Sequence, residues 1–119
     1  MKRPEAIVEI YLEKLNAHIE ELKLGKAEKT YKIEDIAELM HLHPRHLSNT
    51  IHQTLGKSPC ALYEEKLLEI SKELLLTTPL KVAEIARRLT YDPSNFGKFF
   101  KSYTGVTPKQ FRKNALTSI

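Results

Sequence analysis

Displacing the chain against itself by 49 positions aligns, without a gap, Ile36-Ala37 with Ile85-Ala86, Pro44 with Pro93, Leu47 with Phe96, Ile51 with Phe100, Gly56 with Gly105, Ser58 with Thr107 and Pro59 with Pro108. The match runs for about 27 residues. Two copies are too few for a solenoid, which needs at least three repeats to share a continuous core. The chain therefore holds one supersecondary unit twice. Each copy reads as a short helix, a tight turn (Met40-His41-Leu42-His43, then Thr90-Tyr91-Asp92) and a second helix begun by proline. That is the outline of a helix-turn-helix. A single outline of this kind is weak evidence, since any small α-protein contains helical hairpins; its repetition at identical internal spacing is strong.

Hydrophobic spacing is helical nearly everywhere else. Ile7, Val8, Tyr11, Leu12, Leu15, Ile19 and Leu22 recur at intervals of three and four and predict a first helix that Gly25 can end. A polar connector, Lys26 to Lys32, precedes a short second helix marked by Ile33, Ile36, Ala37, Leu39 and Met40, which stops before His43-Pro44 because a residue preceding proline avoids the helical region. Pro44 opens a third helix with Leu47, Ile51, Thr54 and Leu55 expected inward and Gly56 as its stop. Ser58-Pro59 caps a fourth, running to about Leu76 with Leu62, Tyr63, Leu67, Ile70, Leu74 and Leu75 on its buried side. A fifth is expected from about Val82 to Leu89, and a sixth from Asp92-Pro93 to Gly105. A seventh opens at Thr107-Pro108-Lys109-Gln110, where Thr and Gln can cap each other reciprocally. No stretch alternates as a strand would, so the expected class is all-α. The boundaries expected are residues 1–57 for a first subdomain, 58–78 for a linker helix and 79–119 for a second subdomain.

A chain of 119 residues is about one domain's worth, and 41% hydrophobic with 29% charged residues and four glycines excludes a disordered or fibrous class. No apolar run approaches the roughly 18 residues of a membrane span, and the N-terminus opens no signal-peptide core, so a cytoplasmic location without membrane contact is expected. The single cysteine, Cys60, cannot form an intrachain disulfide or a paired-cysteine metal site. Charge is distributed unevenly. Through Met40 there are seven Lys/Arg against nine Asp/Glu, and from His41 onward twelve against six, so the balance moves from −2 to +6. A basic half on so short a chain points to a polyanion, although a merely solvated basic surface has the same composition.

The outward face of each repeated second helix carries the functional reading. Counting proline as the first helical residue, positions four and eight are apolar, so positions two, five, six and nine point away from the core. In the first copy these are Arg45, Ser48, Asn49 and His52; in the second, Ser94, Gly97, Lys98 and Lys101. None is acidic or large and aliphatic. Arg and Lys can donate to guanine O6 and N7, Asn can pair both ways with adenine, and Ser serves a base or a phosphate. Gly97 costs a helix roughly 1 kcal/mol against Ala. It is explained by close approach of the helix to DNA, by tight helix–helix packing, or by drift. The fourth helix, 18 residues by this reading and so about 27 Å long, can with its flanking turns hold the two faces near the ~34 Å between successive major-groove segments.

The run VAEIARRLTYDPSNFGKFFKSYTGVTPKQFRK, Val82 to Lys113, resembles the signature region of the AraC/XylS family of transcription regulators. IEDIAELMHLHPRHLSNTIHQTLGKSP resembles that family's first helix-turn-helix. The resemblance implies seven helices forming two helix-turn-helix subdomains joined by a long linker helix, reading about 20 bp of double-stranded promoter DNA as one unit. A monomeric domain could then read two adjacent grooves, with RNA polymerase as a candidate further partner and the oligomeric state left open by the sequence. Carried over by position, the base-reading sites fall on Arg45, Ser48 and Asn49 and on Ser94, Asn95, Gly97 and Lys98. Departures lie mostly in the first half: Asn49 stands where the family usually has Arg, His43 where it has a capping Ser, Ile51 where it has Phe, and His52 where it has Lys. In the linker helix Leu67 and Leu62 occupy places usually held by Arg and Tyr, with Lys66 and Tyr63 one residue away.

Other chemistries fit less well. His41, His43, His46 and His52 crowd into twelve residues and invite a zinc reading, but no carboxylate lies between Glu38 and Glu64 and no metal-ligand spacing appears. They are read as turn, cap and phosphate-facing residues, with no metal and no cofactor expected. An enzyme is not expected either: there is no Gly-rich phosphate loop. Cys60, just inside a helix start, is placed where a thiol pKa can fall, yet has no assignable partner base. A helical protein-interaction module for an acidic partner is the rival from another class; such a surface needs an exposed apolar anchor on the repeated faces. A chain of this length leaves no room for a separate ligand-sensing domain, so it is read as a single-domain regulator or the DNA-binding end of a longer one.

Overall fold

The computed structural model describes residues 3–117. Within them lie seven helices: α1 (Pro4–Lys23), α2 (Ile33–Leu39), α3 (Pro44–Leu55), α4 (Pro59–Thr77), α5 (Val82–Arg88), α6 (Pro93–Thr104) and α7 (Pro108–Thr117). Five of them open on proline, which lacks the N–H that a first helical turn cannot use and has φ already set for a helix. The sequence punctuation thus sets the starts of α3, α4, α6 and α7 to the residue. The ends of α4 and α5 shift by one position from expectation, to Thr77 and Arg88.

The 49-residue repeat extends to backbone detail. Both short helices end in the same Schellman turn: Leu42 N–H donates to Ala37 O at 2.9 Å and Tyr91 N–H to Ala86 O at 2.8 Å, while His41 and Thr90 N–H reach Glu38 O and Arg87 O. The left-handed residue that this turn requires is His41 (φ 57°) in one copy and Thr90 (φ 63°) in the other, neither of them glycine. At the far end of each second helix glycine does take that position, Gly56 and Gly105 donating to His52 O and Lys101 O at 2.8 Å.

One contiguous core joins the two copies. The α1 stripe of Ile7, Val8, Tyr11, Leu15, Ile19 and Leu22 closes over Ile36, Ala37, Leu47 and Ile51. Ile70, Leu74 and Leu75 of α4 belong to the same cluster as Ile85, Ala86, Leu89, Phe96 and Phe100. Full burial of each Val, Leu, Ile or Phe side chain among them is worth about 1.5–3 kcal/mol. The long helix α4 packs on α1 and α3 on one side of the duplication and on α5 and α7 on the other. Arg112 of α7 fastens its C-terminal end, donating to Leu75 O at 2.9 Å and Thr78 O at 3.3 Å, carbonyls that a helix terminus leaves without partners.

Two expectations for α3 are corrected. Thr54 and Leu55 are exposed, Leu55 to 38%. The last turn of α3 lies at the open rim, where Leu55 lines a groove with Leu12, Leu62 and Leu68 at the edge of the core. Thr50 is buried instead, its hydroxyl satisfied by His46 O at 2.8 Å; Ser71 in α4 is buried the same way against Leu67 O at 2.7 Å. No described helix is long and apolar enough to cross a membrane.

Candidate nucleic-acid interface

Each second helix is entered through a side-chain cap that fixes the direction of its first turn. In α6 the Asp92 carboxylate accepts from Ser94 and Asn95 N–H at 3.0 and 3.2 Å. In α3 the cap is His43, whose Nδ1 accepts from Arg45 N–H at 3.1 Å. The imidazole therefore does at this position what a serine hydroxyl usually does.

From these caps the buried positions follow at four and eight. Leu47 and Ile51 in α3, and Phe96 and Phe100 in α6, are all fully buried. The opposite face is consequently in solvent. Arg45, Asn49 and His52 are exposed on α3 and Ser48 is half-buried; Ser94, Asn95, Lys98 and Lys101 are exposed on α6 and Gly97 is half-buried. Among the described residues no ion pair engages Arg45, Lys98 or Lys101; the acids that are paired take Lys23, Lys29 and Lys57. Their donors are directed to water and are free for an anionic ligand.

Gly97 is not explained by packing. A Cβ built there meets no heavy atom within 4 Å. Ser48 sits in a cleft of about 480 Å³ walled by Tyr11, Tyr31, Ile33, Pro59 and Tyr63. Among the described residues the large exposed apolar ones, Leu24, Leu39, Leu55, Leu76, Tyr103 and Leu116, all fall outside positions two, five, six and nine of both helices. The repeated faces therefore lack the apolar anchor that a protein-docking surface needs.

Cys60 departs from expectation. Partial desolvation pushes its thiol above the usual cysteine value, and the Glu64 carboxylate, with Oε1 3.7 Å from Sγ, adds to the rise. Desolvation first, and then the carboxylate one helical turn along, move the thiol in the direction opposite to the one expected at the start of a helix.

Residues that hold the parts in place were invisible in the pattern. Tyr103 of α6 donates to the Glu64 carboxylate of α4, Arg88 of α5 donates to Lys23 O at the end of α1, and Lys23 pairs with Glu73 of α4 at 2.7 Å. His18, 2% exposed, accepts from Tyr31 N–H at 3.1 Å through Nε2 and stacks on the Tyr31 ring at 4.2 Å. Apart from His18, none of these lies within a periodic apolar pattern. A histidine at a core position of the α1 stripe was the one available signal.

Residues 36–114 match the sequence profile of a family described as helix-turn-helix domain. The arabinose operon regulatory protein of Escherichia coli (strain K12) is 32% identical over 87 residues, which are 72% of this chain and 30% of that protein. The chain thus spans about 30% of the length of this relative. Among solved structures, the C-terminal domain of AraT, a response regulator from Geobacillus stearothermophilus, superposes with a TM-score of 0.71 at 33% identity over 84% of each chain. The DNA-binding domain of AdpA, a global transcriptional factor solved in complex with a target DNA, superposes with a TM-score of 0.75. At 19% identity over 88% of this chain and 91% of that one, it shows a shared fold. With the doubled helix-turn-helix, the long central helix and these matches together, the chain belongs to the AraC/XylS family of helix-turn-helix DNA-binding transcription regulators.

Proposed function

We propose that the chain binds double-stranded promoter DNA in a sequence-specific manner, with α3 and α6 entering successive major-groove segments from one side. Arg45, Ser48, Asn49, Ser94, Asn95, Gly97 and Lys98 read base edges in this account, and His52 and Lys101 hold phosphates. The observation that carries it is the pair of repeat-related faces, both without acid, both without an apolar anchor, and both with cations free of ion pairs. The 53 Å long axis of the molecule accommodates two reading heads separated by one helical turn of DNA, about 34–36 Å. The division into residues 1–57, 58–78 and 79–119 belongs to the same proposal. So do a monomeric DNA-binding unit acting in the cytoplasm by binding rather than catalysis, and contact with RNA polymerase once on the promoter.

Selection of bound sequences from a random duplex pool, followed by fluorescence anisotropy over a salt series, tests the reading. Phosphate neutralisation makes log K fall linearly with log salt. Arg45→Ala and Lys98→Ala are expected to lose discrimination between sites, whereas Lys101→Ala weakens all duplexes about equally and lowers the salt slope by about one. Equal loss of specific and non-specific affinity in Arg45→Ala contradicts the base-reading role, and absence of binding at low salt contradicts DNA binding itself.

A further inference from the structure

Two bodies packed on one rod keep their separation, and a contact away from the rod adds leverage to the packing that sets their rotation about it. Here α4 is the rod, with α1–α3 packed toward one end and α5–α7 toward the other. An off-axis bridge is present. Arg88 of α5 reaches across the duplication and donates from Nη1 to Lys23 O at 3.0 Å. It meets α1 at its C-terminus, where unpartnered carbonyls and the negative end of the helix dipole favour a guanidinium. Gly25, whose φ of 74° suits the turn that follows α1, lies beside this contact: a Cβ there would stand in ordinary van der Waals contact, 3.4 Å from Arg88 Nε.

A second strut runs in parallel. The Thr30 and Thr90 hydroxyls are hydrogen-bonded to each other, 60 positions apart in sequence. Thr90 is the left-handed residue of the second turn, at φ 63°. A β-branched side chain is a genuine outlier in that region, and a backbone conformation of this kind persists where its surroundings hold it. The strut is among those surroundings, because it uses the hydroxyl that a glycine would lack. The loop carrying Thr30 is itself pinned to α1, through Tyr31 N–H on His18 Nε2 and the stacked rings of the two residues. Lys23 is tied in turn to Glu73 of α4.

We propose that Arg88, Thr30 and Thr90 are positioning residues that lock the angle between the two recognition helices and so determine which spacing of DNA half-sites the chain accepts. The inference rests on the DNA-binding reading above. It identifies residues that touch no base and yet set specificity. One base pair added between half-sites turns the second groove by about 34–36° and moves it about 3.4 Å. A locked pair of helices cannot follow that displacement, whereas an unlocked pair rotates about α4 to meet it.

Two measurements test this. The first needs no DNA: spin labels at Gln53→Cys and Ser102→Cys, both exposed positions on α3 and α6, are introduced into a Cys60→Ser background and read by double electron–electron resonance. A single narrow distance distribution is expected, broadening when Arg88→Ala and Thr30→Val are combined. The second compares binding to the selected operator with binding to versions lengthened or shortened by one base pair. The parent chain is expected to lose affinity about tenfold or more on a spacing change, and the double variant no more than about threefold. Thr90→Gly provides a variant that folds readily, since glycine relieves the positive φ; it is expected to raise Tm while relaxing the spacing preference. An unchanged distance distribution together with an unchanged spacing penalty in the variants overturns the lock and leaves DNA binding standing. A parent chain that binds no duplex overturns the DNA reading, and this inference with it.

Discussion

Gly97 isolates the contribution of a single helix face, because its local and functional consequences have opposite signs. Gly97→Ala removes the excess backbone freedom of glycine in the unfolded chain, worth about 0.8–1.0 kcal/mol in a helix interior. No neighbour lies within 4 Å of the new Cβ, so no steric penalty offsets that gain and no buried area adds to it. A gain of about 1 kcal/mol corresponds to a rise in Tm of about 4 °C for a domain of this size. Gly97→Leu retains most of the gain, leucine being nearly as good a helix former as alanine. If α6 approaches DNA at this point, the two variants weaken specific binding in order of size, and the leucine costs at least about tenfold, or about 1.4 kcal/mol. Thermal unfolding followed by circular dichroism gives the first quantity, and anisotropy with the selected operator the second. A fall in Tm refutes the claim that the position is sterically open. A rise in Tm with undiminished affinity for both variants refutes the close approach.

Three further outcomes follow from individual contacts. Burial holds the His18 imidazole below its ordinary value of 6.5, with Glu21 and Asp35 opposing the shift. The stability contributed by the neutral ring is therefore complete above pH 6.5 and is lost as pH falls through the lowered native value; denaturant midpoints measured between pH 7.5 and 5 are expected to drop, and to drop less in His18→Gln. Phe100→Ala, which empties a fully buried site beside Phe96 and Phe111, is expected to cost about 3–5 kcal/mol in urea unfolding; a cost near 1 kcal/mol contradicts the tight packing of the second copy. Cys60 is exposed, but its thiol is raised. Its reaction with a disulfide reagent at pH 7.5 is expected to be slower than that of a small-molecule thiol and to accelerate in Glu64→Gln, which a thiol insensitive to Glu64 would not show.

The amino-acid sequence by itself determined where the helices begin and end and which of their faces turn inward. Proline, glycine and capping side chains act on the backbone within one turn, and apolar periodicity reports a face irrespective of what covers it. Pro44, Pro93, Gly56 and Gly105 therefore sit where local rules put them, as do the buried Leu47, Ile51, Phe96 and Phe100 and the exposed faces opposite. Where local rules erred, the deciding quantity was the reach of a neighbouring element. Leu55 is apolar and in register, but the groove at the end of α3 is left open; Cys60 begins a helix, but Glu64 stands beside its sulfur. Only the tertiary structure decided how the two copies are joined. Arg88 to Lys23 spans 65 positions and Thr30 to Thr90 spans 60, and such pairings leave no periodic trace because each depends on the path of every helix between. The relative angle of two helices is a property of the assembled packing, which no window of the chain contains.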